Sequence, residues 1–317
     1  MRFVISLVAV AIAVSFAAAC GTPLLPEPAL TAKRDDALVE RGRLLATTMG
    51  CLDCHSERDW TRYGGPFVEG KAFTGSPTFS SDIGMPPSFA FGAPNLTPAH
   101  LGSWSDGEIA RAIALGQKKD GHGLFPIMPY PLWRESVALD DLAAVVAFLR
   151  SLPAAEGPPM PERKFPMPGF VVDGFPQAAT LRATAPAPTD ADFGQYVTIR
   201  SGCVDCHTPA DARGRFTGPL FSGGRTFPMK NGTVRSPNLT PDEETGLGAW
   251  TKEAFVARFR VHTLEAVRKE PLAPEAMQSP MPWWAFAELT DTELAAIFDH
   301  LRAQPPTKNG VVRFEPL

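Results

Sequence analysis

Cys51-Leu52-Asp53-Cys54-His55 and Cys203-Val204-Asp205-Cys206-His207 both read CxxCH, and everything else in the chain is arranged around these two stretches. The pattern is the attachment site of a c-type haem: two thiols three positions apart each add to a vinyl group, and the adjacent imidazole reaches the iron. A thioredoxin-like dithiol needs no following His and sits in a βαβ pattern that is missing here. A structural zinc site needs a second thiol or His pair nearby. Two covalently bound haems, held by Cys51, Cys54, His55, Cys203, Cys206 and His207, are therefore expected.

Outward from these motifs the sequence repeats itself. A helical pattern beginning near Asp35 runs through Leu38, Gly42 and Leu45 into Cys51, and a second beginning at Thr189 runs through Phe193, Gly194 and Val197 into Cys203. Gly42 and Gly194 both stand nine residues before the first cysteine of their motif. Glycine inside a helix costs about 1 kcal/mol relative to alanine, so each marks a close helix crossing. The partners are amphipathic helices over 139–152 and 290–304, stopped by Pro153 and Pro305; Thr290 with Glu293 has capping-box spacing. Between the ends, Gly65-Pro66-Phe67 matches Gly218-Pro219-Leu220, and Gly70-Lys71-Ala72-Phe73 matches Gly224-Arg225-Thr226-Phe227. Pro94-Asn95-Leu96-Thr97-Pro98 matches Pro237-Asn238-Leu239-Thr240-Pro241, and Leu101-Gly102-Ser103-Trp104 matches Leu247-Gly248-Ala249-Trp250. Ser105 and Glu108 form a further capping box after the first of these. So many motifs in one order indicate a tandem duplication.

The expected organisation is a signal peptide at 1–19, a tether at 20–35, a first unit at 36–152, a proline-rich extended connector at 153–188, a second unit at 189–305 and a tail at 306–317. The 33 prolines among 317 residues favour irregular loops over extended sheet, so the fold class is all-α, in two tandem domains. Arg2, the apolar run from Phe3 to Phe16 and Ala17-Ala18-Ala19 have the form of a secretory signal. Cys20 is the one cysteine outside the haem motifs, at the position where a bacterial lipoprotein is lipidated. A periplasmic protein anchored to the membrane through Cys20 is expected. The formal charge of −4 supplies no basic patch, which excludes nucleic acid as a partner.

Each iron needs a second axial ligand. Met128 lies 73 residues after His55 and Met281 lies 74 after His207, in the matched settings Met128-Pro129-Tyr130 and Met281-Pro282-Trp283. A methionine thioether there raises the reduction potential, as suits electron transfer. His100, His122, His262 and His300 are alternative ligands, but none is repeated between halves. The imidazole's other N–H needs an acceptor; Pro66 and Pro219 are assigned that role. Lys71 and Arg225 are assigned to the haem propionates, with Trp104 and Trp250 as further donors. The Asn-x-Thr sequons at Asn95, Asn231 and Asn238 read as structural loop residues.

The CxxCH motifs, the Pro94 to Pro98 stretch with Leu101-Gly102-Ser103-Trp104-Ser105-Asp106, Phe125-Pro126-Ile127-Met128-Pro129-Tyr130 and the helix ending at Pro153 resemble class I c-type cytochromes. They are most similar to the multihaem cytochrome c subunits of membrane-associated alcohol, aldehyde and gluconate dehydrogenases. The resemblance implies the small helical cytochrome fold repeated twice, His55 and His207 as proximal ligands, and Met128 and Met281 as distal ligands. It also implies a non-catalytic carrier that takes electrons from a dehydrogenase and passes them to a cytochrome or terminal oxidase. Those subunits generally carry three haems, where this chain has two motifs. A dihaem enzyme of peroxidase or thiosulfate dehydrogenase type would need an exchangeable or cysteine ligand, and a sensor or assembly module is the third reading.

Overall fold

The computed structural model describes residues 23–33, 35–211, 214–269 and 271–317. The expected signal peptide and Cys20 lie outside the described residues. Helices dominate, and they follow the local signals in the sequence. The opening helix Asp36–Thr48 is capped by Asp35, whose carboxylate accepts the Leu38 N–H, and the helix Phe193–Arg200 opens the second half. The closing helices are Leu139–Ser151 and Asp291–Arg302. Both anticipated capping boxes are made: Ser105 with Glu108 starts the helix Asp106–Leu115, and Thr290 with Glu293 starts Asp291–Arg302.

In each half the opening helix crosses the closing helix at its glycine. A Cβ added to Gly42 would lie 1.9 Å from the Ala144 carbonyl oxygen, and one added to Gly194 would lie 2.4 Å from that of Ala296. Only hydrogen in place of a side chain lets the backbones approach this closely. Next along the closing helix come Phe148 and His300, each edge-on to a phenylalanine, Phe73 at 5.3 Å and Phe221 at 6.0 Å between ring centroids.

Two hydrophobic clusters result, and each borrows from the other half. The first contains Leu45, Leu142, Val145 and Val146 together with Val267, Trp284 and Ala285; the second contains Val197, Leu294 and Ile297 together with Ala138. The exchange is reciprocal. The helix Tyr130–Ser136, which follows Met128, packs on Phe193–Arg200, and the helix Trp283–Phe286, which follows Met281, packs on Asp36–Thr48. Trp133 donates its indole N–H to Arg200 O at 3.2 Å, and Trp284 donates its own to Gly64 O at 3.1 Å. A polar knot reinforces the boundary. Asp141, 1% exposed, accepts from Arg41 Nε at 2.9 Å and from the Tyr196 hydroxyl at 2.5 Å, with Arg200 at 3.6 Å.

Three features depart from the all-α, beads-on-a-connector expectation. A small antiparallel sheet in the order β1-β2-β3 joins Thr226–Met229, Gly232–Arg235 and Phe314–Pro316, so the tail at 306–317 is a strand partner. Residues 153–188 wrap the first half instead of spanning a gap. Ala155 exchanges hydrogen bonds with Asn95 and Thr97, Ala90 pairs with Lys164, and Phe165 stacks on Phe125 at 4.9 Å. The stretch read as a tether is docked as well: Gln117 accepts from Leu25 N–H at 2.7 Å and donates to Pro23 O at 2.9 Å, and Asp106 accepts from Ala32 N–H at 3.1 Å. Proline removes N–H donors but leaves carbonyls and side chains free to dock.

Gly42→Ala and Gly194→Ala are each expected to cost about 2 kcal/mol or more through overpacking at the crossing. Gly169→Ala, where an added Cβ meets nothing within 4 Å, stays within about 0.5 kcal/mol of wild type in the same denaturant titration. Asp141→Ala, which takes the acceptor from the buried Tyr196 hydroxyl and from Arg41 and leaves Arg200 to Glu293 alone, should lower stability by about 2 kcal/mol in that assay.

Candidate functional site

Each CxxCH motif begins on a left-handed glycine, Gly50 at φ 82° and Gly202 at φ 72°, which turns the chain from the opening helix into a short helical turn, Cys51–Cys54 and Cys203–His207 respectively. A helical turn presents residues three apart on one face, so the two thiols of each motif share a side. None of the four cysteines is in a disulfide. Burial pushes the Cys51, Cys203 and Cys206 thiols up to about 12, and Cys54 rises well above its usual value for the same reason. Among the described residues no group of three His, Cys, Asp or Glu could hold a metal ion.

The histidines are oriented identically. His55 Nδ1 lies 2.7 Å from Pro94 O, and His207 Nδ1 lies 2.9 Å from Pro237 O. A carbonyl oxygen only accepts, so each Nδ1 carries the proton and each Nε2 keeps its lone pair. Among the described residues neither Nε2 has a hydrogen-bond partner. Burial lowers both imidazoles to about 4, which keeps them neutral at physiological pH and able to ligate. The carbonyls of Pro66 and Pro219, assigned this acceptor role from the sequence, bond elsewhere: Pro66 O accepts from Asp59 N–H at 2.8 Å and Pro219 O from the Ser222 hydroxyl at 2.8 Å. The reason is the path of the chain, which returns to the imidazole at the Pro94 and Pro237 stretch and not at the turn just after it.

That repeated stretch does three jobs at once. Its proline holds the imidazole. Its asparagine amide reaches across to the chain beyond the closing helix, Asn95 to Ala155 O and Asn238 to Thr307 O, both at 2.7 Å. Its leucine N–H bonds to Phe73 O or Phe221 O, both at 2.8 Å. Phe73 and Phe221 are themselves matched, with φ of 60° and 61°, and each donates its N–H to the hydroxyl oxygen of the residue after the histidine, Ser56 or Thr208. Gly75 and Gly223 then donate to His55 O and His207 O at 2.8 Å. Phe73 therefore corresponds in space to Phe221, and the sequence match of Phe73 with Phe227 is out of register. Lys71 and Arg225 are consequently not equivalent.

Arg225 is engaged at the motif: it donates to Asp205 O at 2.7 Å and to its carboxylate at 3.1 Å. The residue doing this in the first half is Arg58, which pairs with Asp53 and bonds the carbonyls of Gly64 and Gly65, a role missed because Arg58 and Arg225 come from different positions in the repeat. Lys71 is exposed, Trp104 packs against the first cluster and Trp250 is 40% exposed. Among the described residues the side-chain nitrogens of these three donate to no protein group. Met128 and Met281 are partly buried against the first and second clusters, and their carbonyls accept from Tyr130 N–H at 2.8 Å and Trp283 N–H at 2.9 Å. The other histidines have different company: His300 faces Phe221, His122 pairs with Asp173 at 3.1 Å, His100 lies by Trp104, and His262 sits between Tyr63 and Trp283. The two motifs are coupled electrostatically: Cys206 raises the Cys54 thiol further, and Asp53 raises the Cys206 thiol.

The donor set fits two c-type haems: paired unbridged thiols, neutral imidazoles with Nε2 available, and a thioether on a matched turn in each half. No family model matches the chain. Curated relatives do. The chain is 28% identical to the cytochrome c subunit of the quinone alcohol dehydrogenase of Komagataeibacter europaeus, with 96% of the chain and 63% of the relative covered. It is 27% identical to the gluconate 2-dehydrogenase cytochrome c subunit of Pantoea cypripedii over 85% of the chain and 60% of that protein. A dihaem c-type cytochrome of Cereibacter sphaeroides is 26% identical over 41% of the chain and 45% of its own length. The chain spans about three fifths of the length of the dehydrogenase subunits it matches. Among the described residues no helix is long and apolar enough to cross a membrane. With its two CxxCH turns and their matched imidazole and carbonyl pairs, the chain is a relative of the cytochrome c subunits of bacterial dehydrogenases.

Proposed function

We propose that the chain is a dihaem c-type cytochrome, not a catalyst, which takes electrons from a dehydrogenase and delivers them to a downstream cytochrome or terminal oxidase. The observation that carries this reading is the pair of imidazoles pinned through Nδ1 to Pro94 and Pro237. When bound, a c-type haem supplies one-electron chemistry between ferrous and ferric iron. Cys51 with Cys54 and Cys203 with Cys206 would form the thioether links, and His55 and His207 would give Nε2 to the irons. Met128 and Met281 would each supply a second ligand to an iron, as suits electron transfer rather than substrate turnover. Lys71, Trp104 and Trp250 are donors for propionates, while Arg58 and Arg225 brace the attachment turns. The halves, 36–152 and 189–305, are two class I cytochrome c domains.

The remaining elements follow the same reading. A signal ends at Ala19, and lipid-modified Cys20 holds the mature protein on the periplasmic side of a bacterial membrane. The dehydrogenase partner is supported by the names of the relatives.

Haem quantitation on purified protein should return two covalently bound haems per chain, falling to one in Cys203→Ser/Cys206→Ser. Met128→Ala and Met281→Ala should each lower the midpoint potential of one of the two components in a redox titration and halve the weak long-wavelength absorption of sulfur bound to ferric iron. Two components that keep their potentials in both variants would overturn the assignment.

A further inference from the structure

Gln278 stands three residues before Met281 and is 5% exposed. An amide side chain has two N–H donors and an oxygen with two lone pairs, and here all are used. Its Nε2 donates to Trp60 O at 3.0 Å and Arg62 O at 2.8 Å, and its Oε1 accepts from Gly64 N–H at 2.9 Å and Ser279 N–H at 2.8 Å. Trp60, Arg62 and Gly64 belong to the first half, in the loop that follows its CxxCH motif. The same loop is gripped twice more. Trp284 donates its indole N–H to Gly64 O, and a Cβ on Gly64 would lie 3.3 Å from Met281 O. Ser279 ties the turn together by accepting from Trp283 Nε1 at 3.1 Å. At the turn bearing Met128 the Tyr130 hydroxyl donates within its own half, to Leu124 O at 3.0 Å, and the bond to the opposite half comes from the following helix, where Trp133 donates to Arg200 O.

We infer that Gln278 is a positioning residue for the Met281 sulfur, clamping the turn at 278–284 to the loop at 60–64 of the opposite half, so that the distal bond of the second site depends on the first half. The inference rests on Met281 being an iron ligand. A buried amide that satisfies three backbone groups of another unit fixes a loop more firmly than apolar contact does, because removing it leaves those groups unpaired. A loosened turn populates conformations in which the sulfur is withdrawn, and an added ligand competes in proportion to that population.

The test uses the haem-loaded full chain carrying Met128→Ala, so that the sulfur absorption reports the second site alone. Adding Gln278→Leu is expected to reduce that absorption by more than half and to tighten by about tenfold the imidazole binding that abolishes what remains of it in the oxidised protein. Trp284→Phe, which keeps the packing and loses only the bond to Gly64, shifts both readouts in the same direction and serves if Gln278→Leu does not accumulate. Gly194→Ala in the same background lowers the melting temperature while the absorption stays. The inference is overturned if Gln278→Leu and Trp284→Phe keep the absorption and hold imidazole affinity within about twofold, or if Gly194→Ala loses the absorption equally. If Met128→Ala/Met281→Ala retains the absorption, it is the reading of Met281 as a ligand that fails.

Discussion

An imidazole can offer one nitrogen to a metal only while something else holds the proton on the other. In this chain that constraint is met by a backbone carbonyl, Pro94 for His55 and Pro237 for His207. A carbonyl cannot itself carry the proton away as a carboxylate could, so it fixes the tautomer without drawing the ring toward imidazolate. The rest of each half serves that contact. The glycine crossing brings opening and closing helices together, the asparagine of the same stretch locks the chain beyond the closing helix, and the left-handed phenylalanine delivers the loop back to the histidine. A bulky residue at positive φ is costly, and its occurrence twice in matched places marks a turn that the surrounding contacts over-determine.

The second organising fact is exchange between halves. Each segment that follows a candidate methionine ligand buries a tryptophan at the other half's opening helix or attachment loop. The boundary therefore has the character of a core and not of a surface contact. Asp141, Tyr196, Arg41 and Arg200 add an ionic knot, buried except at Arg41, whose members come from both sides. Such a knot contributes less to stability than to register, because it is satisfied in only one relative arrangement.

Much of this was legible in the sequence where the signal is local. The capping residues Ser105, Glu108, Thr290 and Glu293, the helix-stopping prolines and the crossing glycines all act through neighbours a few positions away. The attachment motifs are likewise self-contained. What was not legible depends on where the chain goes. The string Gly-x-x-Phe suggested that Phe73 and Phe227 correspond, yet the equivalent of Phe73 is Phe221, because the loop after the second motif is shorter. Pro66 and Pro219 were nearer in sequence to the histidines than Pro94 and Pro237, and proximity along the chain proved a poor guide to proximity in space. Strands of three or four residues, one containing Pro228, carry too few alternating positions to stand out. A proline-dense composition at 153–188 described the backbone's stiffness but not the surface it follows.

The docking of residues 23–33 along the helix Asp106–Leu115 has a geometric corollary. A free stretch of eleven residues could swing the body through an arc of roughly 35 Å in any direction. Pinned at Gln117 and Asp106, the same residues act as a rudder. Pro23 is held at one fixed place, beside the loop that carries Gln117. Pro23 and Leu25 thus keep a constant bearing to the helix Asp106–Leu115 and to the fold built on it.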